Sequence, residues 1–316
     1  MAKPTALDSP LDPRIHTDFS YLKSLQRKAR QLSFLPRQRS KSLLAGRHGS
    51  RMRGRGLNFE ELRDYRVGDD IRAIDWRVTA RMGRPHVRVY AEEKDRSALL
   101  IVDQRMSMFF GSRRNMKSVT ASEAAALCAY GIFARGDRVG AVVFNDTEVK
   151  AFRPSKRPQL LEQVVRCISQ YNLALHCDLE SPATSMHLNR PLKAATEQVG
   201  HDHLVVVISD FDAVDDATEQ HLGQLCAHND VILVAVQDPL AQTLPKDLQM
   251  VVSDGQSQMT IDTRSDKTHA RLQQAFSQRL ATLDEWQQRL PLTVMRLTTE
   301  RDTFDQIAEA LAVRRR

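Results

Sequence analysis

Three short stretches constrain this chain more than anything else in it: SALLIVD at 97–103, RVGAVVF at 138–144 and LVVVISD at 204–210. Each is a continuous apolar run, and the first and third end in an acid. Runs of this kind belong to strands buried on both faces, and the amphipathic stretches between them are long enough to be crossover helices. The spacing predicts helices over 116–135, 158–171, 189–199, 215–228, 267–290 and 304–313. It predicts further strands over 231–236 and 293–297, with a short edge strand over 148–152. Strand and helix alternate, so the fold class is α/β, with a doubly wound, mostly parallel sheet covered on both faces. In such sheets ligands gather beyond the carboxyl ends of the strands, which singles out Asp103 and Asp210.

Several function classes lose support at once. No GxGxxG follows the first strand, and neither GxxxxGK[ST] nor GxSxG occurs, so dinucleotide, P-loop and nucleophile-elbow chemistry have no motif here. The longest apolar helix, around 124–134, contains Cys128, Tyr130 and Gly131 and ends at Arg135, which makes it a buried helix rather than a membrane span. Pro4, Pro10 and Pro13 interrupt the stretch where a signal peptide needs an apolar core. Cys128, Cys167, Cys177 and Cys226 form no CxxC pair and read as four reduced thiols. The expected location is the cytoplasm, with a peripheral place at the inner face of the membrane as an alternative.

The net charge of +7 is unevenly distributed. Between Asp18 and Glu60 there are eleven Lys and Arg residues and no acid; without them the chain would be mildly negative. Leu22, Leu25, Ala29 and Leu32 recur at helical spacing among Lys23, Arg27, Lys28 and Arg30, and Pro36 follows as a stop. This predicts a short basic amphipathic helix. It either packs on its own domain with a solvated basic face or meets nucleic acid, an anionic membrane or an acidic partner. The glycine- and arginine-rich 46–56 stretch marks a boundary. The expected division is a basic arm over 1–55, a small β segment over 56–96 and the sheet domain over 97–316.

The stretch 54–76, GRGLNFEELRDYRVGDDIRAIDW, is followed by Ala80-Arg81 and by YAEE at 90–93. It resembles the signature of domain-of-unknown-function family fifty-eight, carried by Gly54, Gly56, Arg63, Tyr65, Gly68, Asp69, Asp70, Arg72, Asp75 and Trp76. Members of that family join this signature to a von Willebrand factor A-like domain, and LLIVDQRMSMFFG at 99–111 is similar to its first strand and metal-site loop. The resemblance implies a metal-ion-dependent adhesion site that holds Mg²⁺ through a D-x-S-x-S loop, a Thr and a third-loop Asp. Mg²⁺ suits such hydroxyl and carboxylate donors. Asp103 and Ser107 match the first and last loop positions, and Asp210 matches the third-loop acid. Thr184, with Ser185 beside it, is the nearest candidate Thr, although the glycines that usually precede it are missing.

Arg105 stands where the first loop Ser belongs, which removes one ligand and adds a fixed cation. Either Arg105 turns outward and leaves a weakened Mg²⁺ site, or its guanidinium pairs with Asp103 and Asp210 in place of the metal; the second arrangement is preferred. The resemblance also implies a MoxR-type AAA+ ATPase partner and a role in assembly or activation of client proteins. Partner contact would then fall on Arg105, Asp103 and Asp210. Glu60, Glu61, Asp64, Asp69, Asp70 and Asp75 alternate with arginines and read as salt-bridged surface rather than a catalytic pair. Trp76 is expected in packed core, anchoring the small β segment. The reading is a non-enzymatic interaction module; the alternative is a nucleic-acid or anionic-membrane binder acting through the basic arm.

Overall fold

The computed structural model describes residues 12–32, 57–92, 96–176, 187–241, 245–246, 249–253 and 258–313. Two short helices open it, α1 (Phe19–Ser24) and α2 (Gln26–Ala29). A hairpin of β1 (Leu57–Asp64) and β2 (His86–Glu92) follows, with helix α3 (Trp76–Met82) between its strands. Then come β3 (Ser97–Asp103), α4 (Lys117–Phe133), β4 (Arg138–Phe144), β5 (Val149–Ser155), α5 (Pro158–Leu173), α6 (Asn189–Thr196), β6 (Leu204–Ser209), α7 (Asp216–Cys226) and β7 (Asp230–Gln237). A second hairpin, β8 (Gln249–Ser253) and β9 (Gln258–Asp262), precedes α8 (Asp266–Arg289), β10 (Leu292–Thr298) and α9 (Thr303–Val313).

Six strands form one sheet in the order β10-β7-β6-β3-β4-β5, parallel throughout except for the antiparallel edge strand β5. The chain enters at β3, builds outward through β4 and β5, then returns to the other side of β3 with β6. The strand order therefore reverses between β3 and β6, the switch point where α/β sheets open a crevice.

Alternation along the strands sorts the core into two layers. Ala98, Leu100 and Val102 of β3 belong to the layer that holds residues of α4, α5 and α9, while Leu99 and Ile101 belong to the layer that holds residues of α6 and α7 and Trp286 of α8. That period of two is what buries both faces of a continuous apolar strand. Helix α4 is buried along all but its last residue, which its Ala-rich sequence allows by keeping the helix thin against the sheet.

Two compact units emerge. Met1–Pro36 groups with Arg96–Arg316, and Arg37–Asp95 forms the other. The boundaries differ from the expected arm over 1–55, because the described residues 12–32 group with the sheet unit, as the packed-helix alternative has it. Leu22, Leu25, Ala29 and Leu32 are buried in the α4/α5 layer, and Thr17 is tied to α5 through its backbone and hydroxyl to Asn172 Oδ1 at 2.7 and 3.2 Å. The apolar stripe finds cover within the chain, which removes it from any lipid surface. Lys23 pairs with Glu162 at 2.7 Å and Lys28 lies 5.8 Å from the centre of the Phe304 ring, while Arg27 and Arg30 face solvent.

In the other unit, Asp75 caps α3 by accepting from the Arg77 and Val78 N–H groups, and Gly83 ends it in the left-handed region at φ 68°. This helix and the 249–262 hairpin were not expected from the sequence. Trp76 is a correction: it is 64% exposed, not core. The buried residue is Asp75, whose carboxylate pairs with Arg88 at 2.6 Å, so the position beside the hairpin goes to a capping acid and the next side chain turns outward.

Candidate functional site

Asp103 closes β3 and Asp210 follows β6, so the switch point brings both acids to one sheet edge across 107 positions of sequence. Asp103 is fully buried and saturated. Its Oδ1 accepts from the Arg105 backbone N–H and Nε, both at 3.0 Å; its Oδ2 accepts from Arg105 Nη2 at 2.7 Å and Ser209 Oγ at 2.6 Å. Arg105 Nη2 also lies 3.9 Å from Asp210 Oδ1, and its guanidinium sits 5.6 Å from the Phe144 ring centre at the end of β4. The Asp210 Oδ2 accepts from Lys117 Nζ at 2.6 Å, and its Oδ1 from the Asp212 N–H at 3.1 Å.

Two buried carboxylates are thus matched by two buried cations, which is what low dielectric demands of charges removed from water. Burial alone would raise the Asp210 pKa, but Lys117, Arg105 and Arg279 outweigh it and hold the carboxyl well below the carboxylate range. Burial alone would lower the Arg105 pKa; Asp103, Asp210 and Asp146 instead raise it above its ordinary value. Asp146, which accepts from the Met106 N–H at 2.6 Å, is shifted upward chiefly by burial.

The loop after β6 is strained. Phe211 and Ala213 both take φ 54°, and Phe211 is fully buried, its N–H donating to Ser209 Oγ at 3.0 Å. Ser209 therefore holds both the Asp103 carboxylate and the bend that follows β6. A third strand-end acid is engaged in the same manner: Asp238, after β7, accepts from Ser112 N–H and Oγ at 2.8 and 2.5 Å and from Thr299 Oγ1 at 2.7 Å. Burial would raise its pKa, yet these donors bring it below the ordinary value.

Of the residues expected at a metal site, Asp103 and Asp210 come together. Thr184 and Ser185 lie outside the described residues, as do Gly54, Gly56 and Cys177. Ser107 sits in a short 3-10 turn with its Oγ buried and without a hydrogen-bond partner among the described residues, and no hydrogen bond links it to Asp103. The donor set does not fit a divalent ion: Asp103 and Asp210 already face Arg105 and Lys117, and a dication between them would meet two fixed positive charges. Arg105 is only 3% exposed, so its guanidinium faces these acids and is not presented to a partner. The guanidinium takes the inward arrangement of the two the sequence left open.

Lys117 was missed by the sequence reading. Its signal was a cation at the first position of an Ala-rich helix, where the helix dipole disfavours positive charge unless a nearby acid holds it. Gln104 was missed too; buried beside Asp103, it donates to the Ser118 carbonyl and Ser122 Oγ and accepts from Asn172 Nδ2 at 3.1 Å. Through Asn172 and Thr17 this network connects the loop after β3 to the N-terminal segment.

The signature residues form a self-paired surface in the other unit. Arg63 grips Asp69 through two parallel bonds at 2.7 and 2.8 Å, which lowers the Asp69 pKa to about 2. Gly68 takes φ 108° in the turn between them, Asp70 accepts from the Arg72 N–H at 2.9 Å, and the Tyr65 N–H donates to the Pro85 carbonyl at 2.8 Å.

The family model described as "Protein of unknown function DUF58" matches residues 61–282. Among curated proteins, "Uncharacterized protein Rv1480" of Mycobacterium tuberculosis (strain ATCC 25618 / H37Rv) is 28% identical over 294 residues, covering 91% of this chain and 89% of the relative. "Uncharacterized protein Mb1516" of Mycobacterium bovis matches with the same figures. A solved structure described as an uncharacterized membrane spanning protein from Vibrio fischeri aligns at 14% identity with a TM-score of 0.24, over 70% of this chain and 98% of that one. A TM-score that low bears on neither fold nor location. Among the described residues, no helix is long and apolar enough to cross a membrane.

Proposed function

We propose, from the premise that this chain belongs to the DUF58 family, that it is a non-enzymatic protein-interaction module whose sheet unit docks through the end of the sheet where β3 and β6 finish. It is a von Willebrand factor A-like docking unit that works without a metal ion. The observation carrying this reading is the double ion pair of Asp103 with Arg105 and Asp210 with Lys117. In an adhesion site of the usual kind, a dication bridges the protein's acids to a partner's carboxylate. Here Arg105 and Lys117 supply the two positive charges internally, and the centre becomes a rigid neutral floor. Contact with a partner then falls to the exposed rim on the loop after β3, where Phe110 and Arg113 face solvent.

The acids a hydrolase would need are both engaged in ion pairs, which supports a binding role over catalysis. The partner implied by the family resemblance is a MoxR-type AAA+ ATPase, acting with this module on client proteins in the cytoplasm. The buried cysteines fit a reducing setting: burial pushes the Cys128 thiol up to about 12, and Cys167 and Cys226 to about 11.

The test is retention of an AAA+ ATPase from native cytosol on the immobilised protein, with and without prior EDTA treatment of that protein. Retention in both arms, lost on Phe110→Ala with Arg113→Glu, supports the reading. Retention that needs a divalent cation returned to the immobilised protein overturns the metal-free part. Retention of no AAA+ ATPase in any nucleotide state overturns the partner.

A further inference from the structure

Large apolar side chains are exposed unevenly in this molecule. Seven are exposed among the described residues, and five of them, Leu62, Val67, Ile71, Trp76 and Met82, lie within 62–82 of the smaller unit. Trp76 is 64% exposed and Ile71 61%. A tryptophan left in water at the first turn of a helix forfeits burial of a large apolar surface, and such residues mark binding anchors more often than any other type.

Trp76 also lines an open cleft of about 360 Å³, together with Arg72, Ile74, Asp75, Arg77 and Arg88. The acids of this region are already engaged. Asp75 caps α3 and pairs with Arg88, Asp69 is held by Arg63, and Asp70 caps the short turn at Ile71–Ala73. Arg72 and Arg77 have no carboxylate partner among the described residues, and Arg81 and Arg84 on the same stretch are exposed. The cleft thus joins an aromatic wall to two unneutralised guanidinium groups, whose planar forks suit carboxylates.

We propose that the Trp76 cleft docks an acidic, apolar segment of a partner protein, whose carboxylates pair with Arg72 and Arg77 and whose aliphatic side chains cover Trp76 and Ile71. Charge complementarity selects this occupant. The 37–55 stretch carries seven Lys and Arg residues and no acid, so it would meet like charge in the cleft. A second copy docked through the same face would likewise bring guanidinium groups against guanidinium groups. The cleft is lined by residues of the smaller unit alone, and the proposal calls on no metal or nucleotide.

The chain has two tryptophans, Trp76 exposed and Trp286 buried at 3%, so a long-wavelength emission component reports on Trp76. Titrating the full chain with a short synthetic peptide alternating Glu and Leu should shift that component to shorter wavelength and shield it from acrylamide; the Lys/Leu counterpart should do neither. Arg72→Glu with Arg77→Glu should weaken the Glu/Leu peptide at least about tenfold, the lower range for a charge-assisted hydrogen bond, and should admit the Lys/Leu peptide instead. Trp76→Ala, which removes the reporter and is therefore titrated by calorimetry beside the wild type, should weaken it by a similar factor. Equal binding of both peptides, no binding of the Glu/Leu peptide, unchanged affinity in the charge-reversed variant, or an emission shift that tracks self-association in the absence of peptide would each overturn the proposal. The measurement involves no ATPase, so its failure and that of the strand-end docking reading are told apart.

Discussion

Lys117 Nζ stands 2.6 Å from Asp210 Oδ2, joining the first residue of α4 to the residue that follows β6. Both side chains are largely buried, and the lysine occupies the end of the helix where the backbone dipole repels positive charge. The pair therefore stands or falls together with Arg105 and Asp103 beside it.

Removing one partner should be costly and removing both much less so. Lys117→Met leaves Asp210 buried with a diminished set of cations and should destabilise the fold by about 3 to 5 kcal/mol, while Lys117→Met with Asp210→Leu should recover most of that loss. Urea unfolding of the two singles and the double measures the coupling. Additive losses would show that the contact contributes little.

The wild-type chain should melt at the same temperature in Mg²⁺ and in EDTA. Arg105→Ser restores the D-x-S-x-S pattern and, combined with Lys117→Ala, exposes both carboxylates to solvent cations. That double variant should be less stable in EDTA and regain stability in Mg²⁺. Calorimetric Mg²⁺ binding by the wild type would overturn the assignment of Arg105 and Lys117 as replacements for a metal.

Two buried acids should give stability opposite dependences on pH. Asp210 titrates below the ordinary 3.8 in the folded chain, so its contribution is complete above that value and is lost as pH falls through the folded pKa. Asp210→Asn should flatten the acid limb of the stability curve. Glu123, which accepts from the Tyr21 and Thr303 hydroxyls, is shifted the other way by burial, above the ordinary 4.5. Its contribution is complete below 4.5 and declines as pH rises through the folded pKa, so Glu123→Gln should remove a downward slope on that side.

Ala213 holds φ 54° on an exposed position of the loop after β6. An L side chain there costs about 1 kcal/mol or more, so Ala213→Gly should stabilise the fold by roughly that amount despite the added freedom of the unfolded chain. A measured loss would mean that the left-handed backbone is not strained at this site.

Much of the architecture was legible in the sequence, and the reason is local. SALLIVD, RVGAVVF and LVVVIS became the buried strands β3, β4 and β6 because continuous apolar runs can be satisfied only between two helical layers. The edge strand β5 and the helices from α4 onward follow from periodicity in the same way. Asp103 and Asp210 were found because each ends a continuous apolar run, and ligands gather beyond the carboxyl ends of such strands. Helix α3 and the β8–β9 hairpin escaped notice: seven residues and five-residue strands are too short for their periodicity to stand out.

The sequence by itself determined the alternation of strand and helix, the two-faced burial of the sheet and the placement of two acids at strand ends, since each depends on neighbours a few positions apart. Only the tertiary structure decided between the two arrangements of Arg105 and brought Lys117 to Asp210, covered the amphipathic stripe of α1 and α2 with α4 and α5, and buried Asp75 rather than Trp76. Ion pairs and exposure are settled by ångström-scale distances between groups far apart in the chain. Lys117, at the unfavourable end of its helix, signals that it needs an acid, but nothing local says that the acid is Asp210, 93 positions away.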